Sequence, residues 1–376
     1  MHILHINQAF PYQTAHPGLV RAISHETGWE QTVYAPIRST SARVRFDVTD
    51  EPYEVLLSLD YNNVDRLMQG HKHKKIAASM NRQLDASRFD LVHAHTLVAM
   101  GLVASRWART HGTPFVVSVR NTDLTTFLSR PKLYGKMAAR VAEEAKALIC
   151  INPSFADQLQ ETMSGITKTD FGSKLHVLPN GIDDYWLSRS TTVTELKDRQ
   201  KPIEVLYVGE FTTNKNIHRL IEALELVETS GTLVRLTLVG DGPKRSAVEK
   251  RAAASTVETE VLDWTTDRDA LAALYQRSDL FAMPSLTETF GLVYVEALSQ
   301  GLPILYTKGQ GIDGYFPDGH IGVAVDPRDV SDIQRGLLII VHSRKLMAAQ
   351  CHAAARRFAW PKIGSKLAKI YRCAIG

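Results

Sequence analysis

Short apolar segments rich in β-branched residues recur along the whole chain, and longer amphipathic segments separate most of them. Apolar runs of this length predict buried strands, and the amphipathic segments between them predict helices. The predicted strands lie at 2–6, 31–35, 53–57, 90–94, 114–119, 147–151, 174–179, 203–209, 234–240, 258–264, 279–284, 302–307 and 322–327. The clearest predicted helices lie at 97–111, 133–146, 217–229, 244–255, 268–277, 291–300 and 329–343.

Strands that alternate with helices in both halves predict an α/β protein with two doubly wound, parallel-sheet, Rossmann-like domains. A length of 376 residues also favours two domains. The segment PNGIDDYW at 179–186 clusters Pro, Asn and Gly before a polar stretch, so it predicts the junction. We therefore expect one domain at 1–182 and a second at 183–358. Ligands of open α/β sheets bind beyond the carboxyl ends of the strands, so functional residues are expected in the loops after strands.

The composition indicates a globular protein but no particular function. The chain is 44% hydrophobic and 22% charged, which is ordinary for a globular protein with sizeable cores. The first ten residues lack the features of a signal peptide, and no apolar run approaches the roughly 18 residues that span a bilayer. Cys150, Cys351 and Cys373 match no metal or disulfide spacing, so reduced thiols in a cytoplasmic protein are expected.

Positive charge is concentrated in the first half of the chain. Residues 1–182 contain 20 Lys and Arg against 16 Asp and Glu, whereas 183–376 contain 24 of each kind. Within 60–146 the numbers are 14 and 7, and this region includes HKHKK at 71–75 and RPKLYGK at 130–136. A basic face of this kind can attract an anionic membrane surface or a phosphorylated substrate. The alternative is a set of ordinary solvated helix faces.

The segment PSLTETFGLVYVEALSQGLPIL at 284–305 carries two carboxylates in a mostly apolar context. It reads as a strand end, a loop and the start of a helix near Gly291, and a helix N-terminus is a ready anion site. Glu288 and Glu296 would lie about 12 Å apart on roughly one helix face. That is the scale of a pyrophosphate with a sugar at each end. Taken singly, Glu288 could be a helix cap and Glu296 a surface residue.

This segment resembles the Glu–seven residues–Glu signature of glycosyltransferase family four, a family of retaining enzymes with the GT-B fold. The resemblance implies two Rossmann-like domains around a deep cleft, with the last helix returning to the first domain, so that 359–376 belong there. It extends over nearly the whole chain, through DLVHAHT (90–96), VLPNGID (177–183), LYVGEFTTNKNIHRLIEAL (206–224), LTLVGDGP (236–243), SDLFAMPS (278–285) and FAWPKIGSKLAKIYRC (358–373).

The resemblance assigns roles in the second half of the chain. Glu288 matches the glutamate that contacts the donor sugar, and Glu296 matches the ribose-binding glutamate. Lys215 matches the lysine that neutralises the diphosphate leaving group, although on its own it reads equally as a solvated loop lysine. A fixed ammonium and helix N–H groups would stabilise the charge that develops on that diphosphate. The segment that cradles the donor phosphate with its backbone matches Phe290, Gly291 and Leu292.

Two positions depart from the pattern of the family. Glu210 stands where the family often has an arginine, and we expect its carboxylate to point away from the diphosphate or to pair with a cation. Arg120 follows the strand at 114–119, where the family often has a histidine near the reacting sugar. Arginine cannot act as a general base, but it can clamp a phosphate or an acceptor carboxylate. Asp123 could serve an acceptor hydroxyl or hold Arg120, and a simple turn with a capping Asp is the alternative.

Four further features complete the candidate site. Of His93 and His95 we expect one, assigned as His95, to face the cleft as a catalytic residue. Gly18 is predicted in a loop after the first strand, where it would let the backbone approach the donor diphosphate or the acceptor. Trp264 is a candidate wall for the nucleotide base, or else a core residue. The acidic pair in DRD at 267–269 fits helix capping, so no metal or other cofactor is expected.

The resemblance implies a retaining glycosyltransferase that uses a nucleotide-diphosphate sugar, with UDP as the expected carrier. The acceptor would be a glycan or a lipid-linked molecule, in cell-envelope polysaccharide synthesis on the inner face of the plasma membrane. No nucleic-acid partner is expected. Retention would follow from front-face attack, with a phosphate oxygen of the leaving group taking the acceptor proton. The alternatives are a GT-B nucleotide-sugar epimerase or hydrolase and a non-catalytic nucleotide-sugar-binding protein.

Overall fold

A computed structural model describes residues 1–10, 15–38, 51–62, 65, 69–189 and 202–376. The chain divides into two compact units, one of residues 1–181 with 360–376 and one of residues 182–359. The expected boundaries lie one residue away at each junction. Ile182 and Ala359 fall in the second unit because they form a parallel bridge with each other, and the N–H of Ile182 donates to the carbonyl of Phe358 (2.9 Å).

In the described part of the first unit, seven strands form one parallel sheet in the order β3-β2-β1-β4-β5-β6-β7. Strands β1 and β4 are direct neighbours in this sheet, and His5 in β1 lies opposite His93 in β4. The strands are β1 (His2–Ile6), β2 (Glu30–Arg38), β3 (Glu54–Tyr61), β4 (Leu91–Ala94), β5 (Phe115–Val119), β6 (Ala147–Cys150) and β7 (Leu175–Val177).

Helices cover this sheet, and the last helix of the chain belongs to this unit. It packs against the first helix so closely that a Cβ on Gly364 would lie 2.7 Å from the carbonyl oxygen of Ala22. Its residues Ile363, Leu367 and Tyr371 are buried in the same core as strand β1. The helices are α1 (Ala15–Thr27), α2 (Gln69–Gln83), α3 (Ala99–His111), α4 (Pro131–Glu144), α5 (Pro153–Ser164) and α12 (Trp360–Ile375).

The second unit repeats the plan, and its described residues form a six-stranded parallel sheet in the order β10-β9-β8-β11-β12-β13. Its strands are β8 (Ile203–Val208), β9 (Val234–Val239), β10 (Glu258–Leu262), β11 (Leu280–Ala282), β12 (Ile304–Thr307) and β13 (Gly322–Val325). Its helices are α6 (Asp184–Ser188), α7 (Ile217–Thr229), α8 (Arg245–Ala253), α9 (Arg268–Arg277), α10 (Leu292–Ser299) and α11 (Val330–Ala355).

The predicted fold class is confirmed, because both units are parallel, doubly wound sheets with helices between the strands. The largest error concerns the predicted helix 329–343, since α11 continues to Ala355. Its later turns bury Met347, Ala348 and Cys351, and the local sequence does not predict this packing. Among the described residues, no helix combines the length and the apolar character that crossing a bilayer requires.

Candidate functional site

Lys215 and Glu288 form an ion pair at the carboxyl end of the second sheet. The ammonium lies 2.6 Å from a carboxylate oxygen, and the two side chains are only 20% and 12% exposed. Lys215 ends a short 3-10 turn after β8, and Glu288 lies in the loop after β11. Because β8 and β11 are neighbours in a parallel sheet, their carboxyl ends meet. The structure therefore brings together the two residues that the resemblance assigned to the donor.

Two asparagines hold the backbone on both sides of this pair. Asn214 accepts the N–H of Thr287 (3.0 Å) and donates its amide to the Thr287 carbonyl (2.8 Å). Asn216 donates to the carbonyls of Pro284 (3.1 Å) and Pro327 (2.7 Å), and it has the left-handed φ of 58° that asparagine tolerates better than most residues. Sequence reasoning missed both residues, although the NKN spacing around Lys215 is visible in the sequence.

Gly291 caps helix α10 with a φ of 77°, a conformation that costs glycine little. A Cβ at this position would collide with the ring of Tyr294. The first N–H groups of α10, beginning at Leu292, have no partner within the helix, as at any helix start. The ring of Phe290 is buried among Tyr315 and Phe358, so Phe290 offers only its backbone to a ligand.

Glu296 occupies a different environment, on helix α10. Burial raises the pKa of its carboxyl to about 7, while a hydrogen bond from the Tyr275 hydroxyl (3.1 Å) and the nearby Arg268 favour the charged form. Glu296 is half-buried and its carboxylate accepts from Tyr275, so it is not a freely exposed surface glutamate. The carboxyl has acceptor capacity beyond its bond to Tyr275.

Trp264 and Glu210 both lie in loops that follow strands of this sheet. Trp264 follows β10 and is 54% exposed, so the alternative that it is a core residue is wrong. An exposed indole is available for stacking on a planar base. Glu210 follows β8 and is exposed, and no ion pair of its side chain is found among the described residues.

The carboxyl ends of β1 and β4 in the first unit carry a cluster of buried imidazoles. His5 and His93 are fully buried, and His95 is 2% exposed. The ring of His16 from α1 stands edge-on against His95, with a centroid distance of 5.3 Å. Burial lowers the pKa of His5 to about 4 and lowers the pKa values of the other three well below the usual range, so all four are neutral near pH 7.

The hydrogen bonds fix the tautomers of two of these rings. The Gln31 amide nitrogen donates to the carbonyl of Val20 (2.9 Å), so its oxygen accepts from Nε2 of His5 (2.9 Å). Nδ1 of His5 is then an acceptor, and Nε2 of His95 donates to it (3.0 Å). Nδ1 of His95 is therefore an unprotonated acceptor, and it has no hydrogen-bond partner among the described residues.

His5 joins His93 and His95 as a third buried imidazole. One ring nitrogen of each residue lies within 4.8 Å of the others, which is close enough to consider a metal. The rings of His93 and His95 stack at 4.1 Å and 24°, however, so their in-plane lone pairs do not converge on one point. His93 also shares its nitrogens with the hydroxyls of Tyr371 (2.5 Å) and Ser118 (2.8 Å). The arrangement fits a hydrogen-bond network better than a metal centre.

Asp123 is fully buried and holds backbone rather than a ligand. One carboxylate oxygen accepts the N–H groups of Leu97 and Arg120, and the other accepts the N–H of Val98, each at 2.9 Å. These bonds fix the start of α3 and the turn after β5. The contacts are those of a positioning residue, and they favour the capping alternative for Asp123 over direct contact with an acceptor hydroxyl.

Arg120 follows β5, its side chain is partly exposed, and its charge helps to lower the pKa values of His16, His93 and His95. Burial lowers the pKa of its guanidinium to about 10, opposed by the charge of Asp123. Its buried Nε finds no hydrogen-bond partner in the described part of the chain. Arg120 and His95, which were predicted as catalytic residues, thus lie in one cluster.

The prediction for Gly18 is wrong, because this residue lies inside helix α1 and not in a loop. A Cβ on Gly18 would lie 2.5 Å from Cζ2 of Trp360. The missing side chain makes room for the indole of helix α12, so Gly18 serves packing within the first unit.

Two family models match the chain in succession, Glycosyltransferase Family 4 over residues 20–185 and Glycosyl transferases group 1 over residues 189–358. Glycogen synthase of Mycobacterium tuberculosis is 27% identical over 305 residues, which cover 76% of this chain and 69% of the relative. The putative teichuronic acid biosynthesis glycosyltransferase TuaC of Bacillus subtilis is 25% identical over 376 residues, covering 92% and 90%. The structure of HepE from Anabaena in complex with UDP superposes with a TM-score of 0.73 at 18% identity, covering 98% of this chain and 99% of HepE. The chain therefore belongs to glycosyltransferase family four and is a glycosyltransferase of the GT-B type.

Proposed function

We propose that this glycosyltransferase transfers a sugar from a UDP-sugar to a glycan or lipid-linked acceptor with retention of the anomeric configuration. The observation that carries the proposal is the Lys215–Glu288 pair beside the N-terminus of α10. An ammonium, a helix N-terminus and a carboxylate are the groups that a diphosphate joined to a sugar requires. The ammonium and the N–H groups bind the phosphates, and the carboxylate accepts hydroxyls of the transferred sugar.

Lys215 acts on the leaving group in this proposal. Cleavage of the anomeric C–O bond leaves negative charge on the diphosphate, and a preorganised ammonium stabilises that charge without rearrangement. One such donor lowers a barrier by about 3 kcal/mol. Lys215 is paired with Glu288, so a donor that binds Lys215 must compete with this contact.

Retention follows from front-face attack in this proposal. The acceptor hydroxyl approaches from the side of the departing diphosphate, and a phosphate oxygen takes its proton. The anomeric C–O bond breaks as the new C–O bond forms on the same face. The protein then supplies positioning and electrostatic stabilisation, and no separate metal ion is required for the charge that Lys215 and the helix N–H groups balance.

The choice of UDP rests on two supports. HepE, which shares the fold, has been solved with UDP. The second unit also offers groups for a nucleoside, namely the exposed indole of Trp264 for the base and the carboxyl of Glu296 for ribose hydroxyls.

A role in envelope polysaccharide synthesis is supported by the relative TuaC, whose name refers to teichuronic acid biosynthesis. The exposed side chains of Arg130, Lys132 and Lys136 surround Leu133, which is 60% exposed, on and just before helix α4. We call these four residues the α4 basic face. No ion pair of its three cations is found among the described residues, so they are available to an anionic membrane surface.

The proposal is tested by thermal shift with UDP, GDP, ADP, CMP and their common sugars, each with and without EDTA. A ligand at 100 times its Kd adds about 2.7 kcal/mol of stability. We expect a shift with UDP and UDP-sugars that EDTA does not change, that Lys215→Ala strongly reduces and that the exposed-residue control Lys250→Ala retains. Product analysis with the matching UDP-sugar then separates transfer from hydrolysis and epimerisation. A shift with another base alone contradicts the UDP assignment, and no shift with any nucleotide contradicts the proposal.

A further inference from the structure

Three buried polar atoms without partners lie at the carboxyl ends of three adjacent strands of the first sheet. They are the amide nitrogen of Asn7 after β1, Nδ1 of His95 after β4 and Nε of Arg120 after β5, and none has a hydrogen-bond partner among the described residues. Asn7 and His95 are each 2% exposed. Burying a polar group without a partner costs about 1–3 kcal/mol, so three at one sheet edge call for a ligand that satisfies them.

These atoms define the chemistry of that ligand. The amide of Asn7 and Nε of Arg120 are donors, whereas Nδ1 of His95 is an acceptor because its tautomer is fixed through His5 and Gln31. A matching ligand therefore presents oxygen acceptors to the two donors and an O–H to the imidazole.

The charge balance indicates an anion. Arg120 is the cation of this cluster, and the four surrounding imidazoles are neutral. The nearby carboxylate of Asp123 is directed at three backbone N–H groups, and no ion pair joins it to the guanidinium in the described residues. A guanidinium with a free Nε–H binds phosphate and carboxylate oxygens in bidentate fashion.

We propose that Arg120, His95 and Asn7 form a subsite for an oxyanion group, phosphate or carboxylate, carried by a hydroxyl-bearing acceptor. Arg120 and Asn7 bind the oxyanion, and His95 accepts the hydrogen of a hydroxyl on the same molecule or of a monoprotonated phosphate. This proposal rests on the proposed function, since it names the chemical class of the acceptor. Arg120 is then a specificity-determining residue and not a general base.

The test uses the full chain and two small probes, inorganic phosphate and glycolate, titrated by thermal shift in the presence and absence of saturating UDP. Phosphate and glycolate stand for the two possible oxyanion groups, and both carry an O–H at neutral pH. We expect at least one probe to raise the melting temperature of the wild type. Arg120→Gln should raise the Kd of that probe about tenfold or more, because a charge-assisted hydrogen bond is lost.

Two variants separate binding chemistry from folding. His95→Gln keeps a donor near the position of Nε2 for His5 but removes the Nδ1 acceptor, and it should also weaken the probe. Arg120→Lys keeps the positive charge but removes the planar set of guanidinium donors. If Arg120→Gln does not fold, Arg120→Lys replaces it in the test and should bind the probe more weakly than the wild type. Arg82→Gln, which changes an exposed arginine of the same unit, should bind the probe like the wild type.

The outcomes distinguish the subsite from the donor site. The UDP-induced shift must persist in Arg120→Gln, since Lys215 and not Arg120 holds the donor diphosphate in the proposed function. Loss of the UDP shift together with the probe shift would reassign Arg120 to the donor and overturn the subsite. No probe shift in the wild type, or an equal shift in the Arg120 variants, overturns it as well. A probe shift that depends on Arg120 without any UDP shift would leave the subsite standing while the proposed function fails.

Discussion

The ammonium of Lys215 lies 2.6 Å from the carboxylate of Glu288, although 73 residues separate them in sequence. A diphosphate that binds Lys215 must compete with this carboxylate and must also enter next to its negative charge. The ion pair therefore opposes binding of the product UDP. It also keeps the ammonium in place for the donor.

We predict opposite effects of the two single substitutions on UDP affinity. Glu288→Gln removes the competing charge at constant size and should lower the Kd of UDP about fivefold, since a partly exposed pair contributes about 1 kcal/mol. Lys215→Ala should raise the Kd about tenfold or more, and both variants should lose transfer activity. Isothermal titration with UDP measures these constants. If Glu288→Gln binds UDP more weakly than the wild type, Glu288 does not compete with UDP for Lys215.

We predict that Glu296 makes the stability of the protein depend on pH and that Glu296→Gln removes this dependence. Its pKa is raised from 4.5 to about 7 in the folded state, so the folded protein holds the proton more tightly than the unfolded chain. This contribution to stability is full below pH 4.5 and is lost as the pH rises through 7. Glu296→Gln should therefore stabilise the protein at pH 8 by about 1–3 kcal/mol and have little effect at pH 4.5.

Urea unfolding at the two pH values measures this difference. Glu210→Gln, which changes an exposed glutamate of the same unit, is the matched control and should show no such pH dependence. Equal effects of Glu296→Gln at both pH values would mean that the pKa of this carboxyl is the same in the folded and the unfolded protein.

We predict that the substitution Gly18→Ala disturbs packing in the first unit and leaves UDP binding unchanged. Gly18→Ala places a methyl group 2.5 Å from the indole of Trp360, and overpacking of this kind costs about 1–3 kcal/mol. Gly70→Ala is the control, because Gly70 is an exposed helical glycine with open space at its Cβ, and it should be neutral or stabilising. The UDP-induced thermal shift should remain in Gly18→Ala, and its selective loss would restore the original assignment to the donor site.

The sequence predicts the strands well because parallel strands buried on both faces are continuous apolar runs, as β6 and β13 are. The resemblance to the family assigns Lys215, Glu288 and Gly291 to one donor site, and the structure brings Lys215 and Glu288 together. Contacts that depend on sheet order are harder to predict. His5 joins His95 only because β1 lies next to β4, and nothing local to HILHI indicates that partner.

Side-chain contacts with distant backbone are equally hard to predict from sequence. Gly18 reads as a loop glycine because the residue it accommodates, Trp360, lies in the last helix of the chain. Asp123 reads as a catalytic candidate because its partners are backbone N–H groups, including those of Leu97 and Val98, which carry no sequence signal.

The buried histidines predict that acid destabilises the first unit. The pKa of His5 is lowered to about 4 in the folded state, and burial and neighbouring charge also lower the pKa values of His16, His93 and His95 well below the usual range. The unfolded chain therefore binds more protons below pH 6.5. The stability that the neutral rings provide is full above 6.5 and is lost as the pH falls from 6.5 toward 4.

Each such histidine contributes a slope of up to about 1.4 kcal/mol per pH unit within that window. Urea unfolding at intervals from pH 7 to pH 4.5 measures the slope for the wild type and for His5→Gln. The variant lacks one titrating ring and should show a shallower slope. Identical slopes in the two proteins would exclude His5 as a source of the acid sensitivity.

The α4 basic face predicts binding to anionic membranes through a defined site. Arg130, Lys132 and Lys136 each add about 1 kcal/mol near an anionic surface, and the exposed Leu133 lies among them. The triple substitution of these cations by Gln should reduce binding to vesicles of phosphatidylglycerol and phosphatidylcholine about 100-fold at low salt. The matched control replaces Lys362, Lys366 and Lys369 of α12, an exposed set of equal charge in the same unit. Co-sedimentation measures both variants, and equal losses would mean that overall charge, and not this face, attracts the membrane.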